Sequence, residues 1–285
     1  MTNEDTTLLS SFAAYWRSMG YAPLTAENYC RELRLLAERR PLSECSVLDL
    51  HAFLAERSEQ VSAATLAVTV RGLRAFYRWR SAVLDCDDPA RTLRSPKVAE
   101  VPVRSVTELE HRRLLASVSG SDLLAVRDRA LLAVLWASGM RRSEIARMEL
   151  SHVDLAEGTI QIPRTKTGKP RTVGLSAEAV KLLRAYLKRR HNGHVVQRLW
   201  IGRAGRPLTG DGLRQMLTTR CKEAGMRVIS PHEYRRSLAE RWLDAGGSET
   251  LLRYHSGWSS PAMVAKYVRN RGQALALNEH RRLLG

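Results

Sequence analysis

Through the first hundred residues, apolar positions recur at three- and four-residue spacing in four successive runs, the period of a helix with one buried face. "TTLLSSFAAYWRSMG" is amphipathic and stops at Gly20. "TAENYCRELRLLAERR" opens at Thr25, the predicted N-cap, and stops before Pro41. "SVLDLHAFLAERSEQ" and "SAATLAVTVRGLRAFYRWRSA" complete the set. In the last run Leu66, Val70, Leu73 and Tyr77 share a face, and Arg71, Arg74 and Arg78 form a stripe beside it.

The periodicity then breaks. "DDPARTLRSPKVAEVPVRS" has three prolines and no apolar period, so residues 95–104 are predicted to be an interdomain linker. Beyond it "TELEHRRLLASV" and "RDRALLAVLWASG" return to the helical period. "GTIQIPRTKTGKPRTVGL" alternates instead, which predicts a hairpin about a polar, glycine-containing turn. From "SAEAVKLLRAYLKRR" the pattern is helical to the end, interrupted by glycine-rich turns. The expected fold is mainly α, with a small β-hairpin or sheet in the second of two domains. These span residues 1–94 and 105–285, the latter ending in a tail at about 273–285.

Charge adds an asymmetry that the pattern does not show. Residues 1–100 carry 13 basic and 13 acidic side chains, whereas residues 101–285 carry 33 and 16, so the whole net charge of +17 lies in the second part. Such a surface suits a polyanion, most simply nucleic acid. The stripe of Arg71, Arg74 and Arg78 then becomes a candidate for contact with phosphates and the major groove, although a charged helix face is otherwise just solvated. No run of eighteen apolar residues exists, and the acidic start "MTNEDTTLLSSFAAYW" does not resemble an export signal. A cytoplasmic protein without membrane contact is expected. Four scattered cysteines without a CxxC pair point to free thiols rather than a zinc site or disulfide framework.

Four stretches of the basic part could carry chemistry. "SPHEYRRSLAERW" has Ser230 and Glu233 spaced as a capping box, with Pro231 at the first helical position. His232 and Arg235 then share a face at a helix end whose free N–H groups favour anions. "ASGMRRSEIARMEL" places Arg141 after a helix-ending glycine, with Glu144 three residues on. "RTKTGKPRTVGL" puts Lys166 at the hairpin tip, and "YHSGWSSPAMVAKYVRNRG" puts Tyr267 nine residues beyond Trp258. Taken singly, these are an ordinary helix start, a wet turn and a core aromatic.

In order, Arg…Lys…His-x-x-Arg…Trp…Tyr resembles the tyrosine recombinase (phage integrase) family over nearly the whole chain. "GMRRSEI", "KTGKPRTVGL", "HEYRR" and "GWSSPAMVAKYV" correspond to its four boxes. "PLTAENYCREL" and "TLAVTVRGLRAFYRW" look like its helical core-binding, SAM-like domain. The resemblance implies a two-domain, C-shaped clamp on DNA, in which Tyr267 attacks a scissile phosphate to give a 3′-phosphotyrosine and a free 5′-hydroxyl. Arg141 and Arg235 would hold the non-bridging oxygens and Lys166 would protonate the leaving oxygen. His232 would move a proton at the phosphate, Trp258 would donate its indole N–H, and Glu144 would orient the site from behind. Neither cofactor nor metal is implied. The partners would be double-stranded core sites and further copies of the chain, as dimers and then a synaptic tetramer.

Two positions depart from the family pattern. Trp258 and Arg236 both stand where histidine is common; indole only donates, and Arg236 is given no catalytic role. With no room before residue 1 for an arm-binding domain, a simple integrase serving phage or mobile-element integration is the favoured subtype. A chromosome-dimer resolvase or transposon recombinase is the nearest alternative, and a type IB topoisomerase-like relaxing enzyme the next. A regulator with a decayed site is a poor fit to an intact Arg, Lys, His, Arg, Tyr set.

Overall fold

A computed structural model describes residues 1–98, 104–163, 170–190, 196–268 and 272–284, which fall into two compact units, Met1–Val101 and Pro102–Gly285. Half of the expected linker, residues 99–103, and the hairpin tip with Lys166 lie outside the described residues.

The first unit is built from α1 (Asn3–Ser18), α2 (Pro23–Ala37), α3 (Val47–Gln60) and α4 (Ala63–Leu84). Thr2 and Ser46 open α1 and α3 with full capping boxes, and Ser62 accepts the Thr65 N–H at the start of α4. The expected cap at Thr25 is displaced: α2 begins at Pro23 with Ala22 as N-cap and no side-chain cap. Proline fixes φ for the first helical residue and its missing N–H is not needed there, so the helix starts without a capping hydroxyl. Phe12, Leu33, Leu50, Leu73, Phe76 and Tyr77 fill the core. At Gly72 a Cβ would stand 2.9 Å from the Tyr29 ring, so the close approach of α4 to α2 requires glycine. Arg71 and Arg78 are exposed on α4, and Arg74 is half-buried between them.

The second unit opens with α5 (Glu108–Ser117), α6 (Leu123–Ser138) and α7 (Arg142–Arg147). An antiparallel sheet follows, formed by β1 (Val153–Asp154), β2 (Thr159–Ile162) and β3 (Arg171–Gly174) in that order, with Ile160 opposite Val173. The β2–β3 hairpin is the expected one; β1 adds a third strand that two residues are too few to announce. Then come α8 (Ala177–Arg190), α9 (Gly210–Glu223), α10 (Pro231–Asp244), α11 (Glu249–Ser256), α12 (Ala262–Val268) and α13 (Gly272–Leu284). Buried over most of its length, α6 packs on α8 on one side and α10 on another. Among the described residues no helix is long and apolar enough to cross a membrane.

Candidate active site

Helix α6 ends at Gly139, in the left-handed region at φ +55°, where a Cβ would come within 2.8 Å of Leu238 on α10. Only glycine allows both the turn and that contact. The chain therefore leaves α6 pressed against α10, and Arg141 becomes the N-cap of α7. Its own N–H donates to Glu144 Oε2 at 2.8 Å, and its Nη1 donates to Glu144 Oε1 at 2.9 Å.

Glu144 is the hub. Its side chain is 2% exposed, and Arg171 on β3 grips it with both terminal nitrogens, at 3.0 and 2.8 Å. Burial alone would raise the Glu144 carboxyl, but the Arg171 and Arg141 hydrogen bonds outweigh it and hold the group below the usual carboxylate range. Arg235, buried on α10, donates instead to the carbonyls of Gly139, at 3.1 Å, and Ser256. Two guanidiniums thus hold one carboxylate, and a third lies buried beside them with carbonyl partners alone. The excess shows in Arg235, which burial and then the nearby Arg141 pull down to about 10; an arriving anion reverses that pull.

What holds three cations together is the end of α11. His255 O accepts from Arg171 Nε at 2.9 Å, Ser256 O from Arg235, and Gly257 O from Arg141 Nη2 at 2.9 Å. Three consecutive carbonyls, at the negative end of a helix, each take a different arginine. Gly257 lies at φ +62°, and a Cβ there would meet Arg171 Nη1 at 2.8 Å, so no other residue fits this knot.

Directly after the knot comes Trp258, whose ring lies 4.9 Å from Arg235 Cζ and stacks on Tyr267 at 5.1 Å and 20°. Ala239, Leu243, Leu252, Trp258 and Val264 form a small core against which Tyr267 packs, which docks α12 on α10. Burial raises the Tyr267 phenol above its usual range, while Arg235 and Arg236 pull the other way. The phenol is therefore neutral near pH 7 in this state, and its ionisation awaits help.

The capping box at Ser230 forms as expected, with Pro231 at the first helical position. Arg227 binds Glu233 of that box, donates to Glu110 at 2.7 Å and holds the Ser105 carbonyl at 3.0 Å, which fixes the start of α10. His232 is exposed on this first turn. The structure so brings Arg141, Glu144, Arg235, Trp258 and Tyr267 together and leaves His232 at the solvent side. Arg71, Arg74 and Arg78 belong to the other unit.

Sequence reasoning missed Arg171, whose side chain is only 8% exposed. Its only local signal is a second cation in the hairpin strand, one position beyond the "GKP" turn. Its partners are 27 and 84 residues away, so its role is a tertiary fact.

Residues 104–273 match the phage integrase family, and residues 9–82 match the N-terminal SAM-like domain of phage integrases. The chain is similar to tyrosine recombinase XerD of Ralstonia nicotianae, 27% identical over 94% of this chain and 92% of the relative. It is also similar to tyrosine recombinase XerC of Pelotomaculum thermopropionicum, 30% identical over 84% of this chain and 85% of the relative. Its fold resembles that of a Tn1549 transposon integrase solved in complex with transposon right end DNA. There the TM-score is 0.74 and the identity 19%, over 98% of this chain and 99% of that one. With both halves matched in order and the arginine cluster seated beside a docked tyrosine, the chain belongs to the phage integrase family, as a tyrosine recombinase that cleaves and rejoins DNA.

Proposed function

We propose that Tyr267 is the nucleophile, and that the arginine cluster beside it is the seat of the scissile phosphate. The observation that carries this reading is the cation excess. Arg141 and Arg171 share one carboxylate, Arg235 beside them has only carbonyl partners, and the Tyr267 ring is joined to Arg235 through Trp258. A phosphodiester transition state gathers negative charge, and preorganised donors aimed at it are the main source of catalysis. Arg141 and Arg235 hold the non-bridging oxygens, for which a guanidinium fork is suited. Glu144 and Arg171 keep those forks in place. Tyr267 Oη attacks phosphorus and gives up its proton, His232 acts in proton transfer at the phosphate, and the 5′ oxygen leaves with a proton from Lys166. Reversal by a 5′-hydroxyl of another strand completes exchange, and the bond energy stays in the phosphotyrosine. Trp258 donates its N–H and packs, but cannot accept.

Residues 1–94 serve as the core-binding domain, 95–104 as linker and 105–285 as catalytic domain. The enzyme acts on double-stranded core sites in the cytoplasm of a bacterial host. Two sites, each bound by two protomers, make a closed tetramer, which requires a heterologous contact repeated around the ring. The tail from about 273 is the donor in this contact; Leu277, Leu283 and Leu284 are exposed on α13. Integration and excision of a mobile element is the favoured use. Chromosome-dimer resolution is the second reading, favoured by the near-full-length match to a XerD protein.

Tyr267→Phe tests the assignment. It should abolish denaturant-resistant protein–DNA adducts on nicked core sites while leaving affinity almost unchanged, since one hydroxyl adds little to a basic interface. Persistent adducts would move the nucleophile elsewhere, first to the exposed Tyr254. Deleting residues 273–285 should abolish two-site complexes and leave single-site binding intact. Relaxation of supercoiled DNA of any sequence, with two sites never joined, would favour the topoisomerase-like alternative.

A further inference from the structure

Arg235 and Arg236 are neighbours on α10, and they reach the same pair of rings. Arg235 Cζ lies 4.9 Å from the Trp258 ring, Trp258 stacks on Tyr267 at 5.1 Å, and Arg236 Cζ lies 5.8 Å from the Tyr267 ring. Two consecutive guanidiniums and two aromatic rings therefore form one continuous run of contacts around the tyrosine. Arg236 does not reach it by chance of rotamer: its Nε donates to Glu240 Oε1 at 2.8 Å, one helical turn along, and both side chains are about four-fifths buried. A cation this near a ring is attracted to its face, and a charge held by a buried ion pair stays where it is put.

We propose that Arg236 is a positioning residue for Tyr267: anchored by Glu240, its guanidinium holds the phenol ring against Trp258 and favours the phenolate that attacks. This rests on Tyr267 being the nucleophile. It also joins the two departures from the family pattern in one device. Trp258 supplies a ring on which Tyr267 stacks, and Arg236 supplies a fixed positive charge that a histidine, neutral for much of the physiological range, does not.

The charges around the phenol give the proposal opposite signs to test. From α10, Arg235 and Arg236 favour the phenolate and Glu240 opposes it; Arg141, at the start of α7, also favours it. From α11, which packs on α12 as well, the charged and titratable groups are Glu249, Arg253, Tyr254 and His255. Arg253 lies over the Tyr254 ring and His255 against Trp242.

The test uses the full chain carrying 3-fluorotyrosine, whose phenol titrates at lower pH, with the Tyr267 resonance assigned by its loss in Tyr267→Phe. Fluorine NMR then follows Tyr267 through its ionisation without DNA. Arg236→Gln should raise the midpoint by about one pH unit, the lower end for removing a charge at this range. Glu240→Gln should lower it, and Arg236→Lys should fall between Arg236→Gln and the unaltered chain. An unmoved midpoint in Arg236→Gln overturns the proposal. So does a shift in the same direction in both variants, which is the mark of general loosening. If Arg236→Gln fails to fold, the sign in Glu240→Gln decides alone.

A second arm measures adduct formation against pH on a nicked duplex chosen by covalent capture. Arg236→Gln should displace the profile to higher pH, slowing the reaction about 10-fold below the midpoint and leaving the alkaline plateau in place. An equal loss at every pH, or weaker DNA binding with the profile unmoved, makes Arg236 a structural residue or a phosphate contact and overturns the proposal. The nucleophile assignment is read separately, by the adduct that Tyr267→Phe must abolish.

Discussion

The core of the first unit and the candidate site of the second bury charge in opposite ways. In the first, Glu32 is buried and fully matched: Arg57 donates through Nε and Nη2 at 3.2 and 3.0 Å, and the Thr69 hydroxyl adds a bond at 3.0 Å. Asp5 likewise caps α1 and accepts the Leu42 N–H at 2.8 Å. Each carboxylate has its own partners, and the unit as a whole is neutral. In the second unit Glu144 is shared by two arginines, and a third has only carbonyls. Buried cations without counter-charge are expensive. The first arrangement serves the fold, whereas the second keeps a positive imbalance, as the proposed phosphate seat requires.

The sharpest way to break the comparison is to remove each hub carboxylate. Glu144→Gln should destabilise the second unit by about 3–5 kcal/mol, the scale for stripping one partner from a buried charge pair. Glu32→Gln should cost the first unit roughly 1–3 kcal/mol, because Arg57 also donates to Gln60 at the surface. Millimolar inorganic phosphate should recover part of the loss at Glu144 and none at Glu32, since only the former leaves an anion seat. Thermal unfolding with and without phosphate measures both. Equal losses with no recovery at either position would erase the distinction.

Arginine-to-lysine changes give the next largest effect. Arg141→Lys or Arg235→Lys should slow adduct formation about 10²-fold or more, because an ammonium cannot keep the two protein contacts of either fork and still grip a phosphate as the proposed function requires. Binding should fall far less, its load being spread over many phosphates. Arg57→Lys, which alters a mostly buried ion pair in the other unit, should leave the rate alone. Matching losses of rate and affinity at Arg141 or Arg235 would make these arginines ordinary DNA contacts.

Acid should separate the units too. His111 stacks on Trp136 at 4.5 Å and faces the Tyr234 hydroxyl at 3.4 Å. Burial, with Arg241 and Arg112 in the same direction, pushes its imidazole down to about 4. Between that value and its ordinary value near 6.5, the unfolded chain binds a proton that the folded one refuses, so stability falls as pH drops through this window. The loss is on the order of 3 kcal/mol when complete. The first unit has a single histidine, the exposed His51. Hydrogen exchange on the full chain, corrected for intrinsic rates, should show α5, α6 and α10 losing protection from pH 7 to pH 5 while α1 to α4 keep theirs. His111→Phe should flatten the dependence, and a loss shared by both units would remove the assignment.

Local chemistry made much of this legible. The Ser230–Glu233 box with Pro231 announces α10 because capping needs only neighbours in sequence. The even apolar spacing announces α1, α3 and α4 for the same reason. Arg141, Glu144, Arg235, Trp258 and Tyr267 could be named from their order along the chain. Hidden from sequence were interactions that cross it: Arg171 on Glu144, the three carbonyls at 255–257, and Arg227 tying Ser105 to Glu233. None of these has a period or a short spacing to betray it. The misplaced start of α2 is a milder case, in which Thr25 looked like a cap and Pro23 began the helix.

The smallest effect expected on chemistry concerns the stripe on α4. Arg71, Arg74 and Arg78 lie along one side of the helix, the outer two exposed, within a unit whose net charge is zero. The +17 lies in the second unit, so bulk attraction to DNA should come mainly from there, and this stripe should govern where the protein binds more than how strongly. Replacing all three with glutamine should reduce the slope of log affinity against log salt by at most about 3, roughly 0.9 for each phosphate no longer neutralised. Affinity for random duplex should change little beyond that. Discrimination between a core site and random duplex should fall much further, because each hydrogen-bonded base edge is worth about 1–3 kcal/mol of selectivity and a phosphate none. Adduct formation at saturating DNA should stay within a few-fold of normal, since none of the three belongs to the Glu144 cluster. Competition binding across a salt series separates the two quantities. A triple variant that keeps full site preference while its salt slope drops would make the stripe a set of phosphate-binding side chains and move the reading of sequence to another surface.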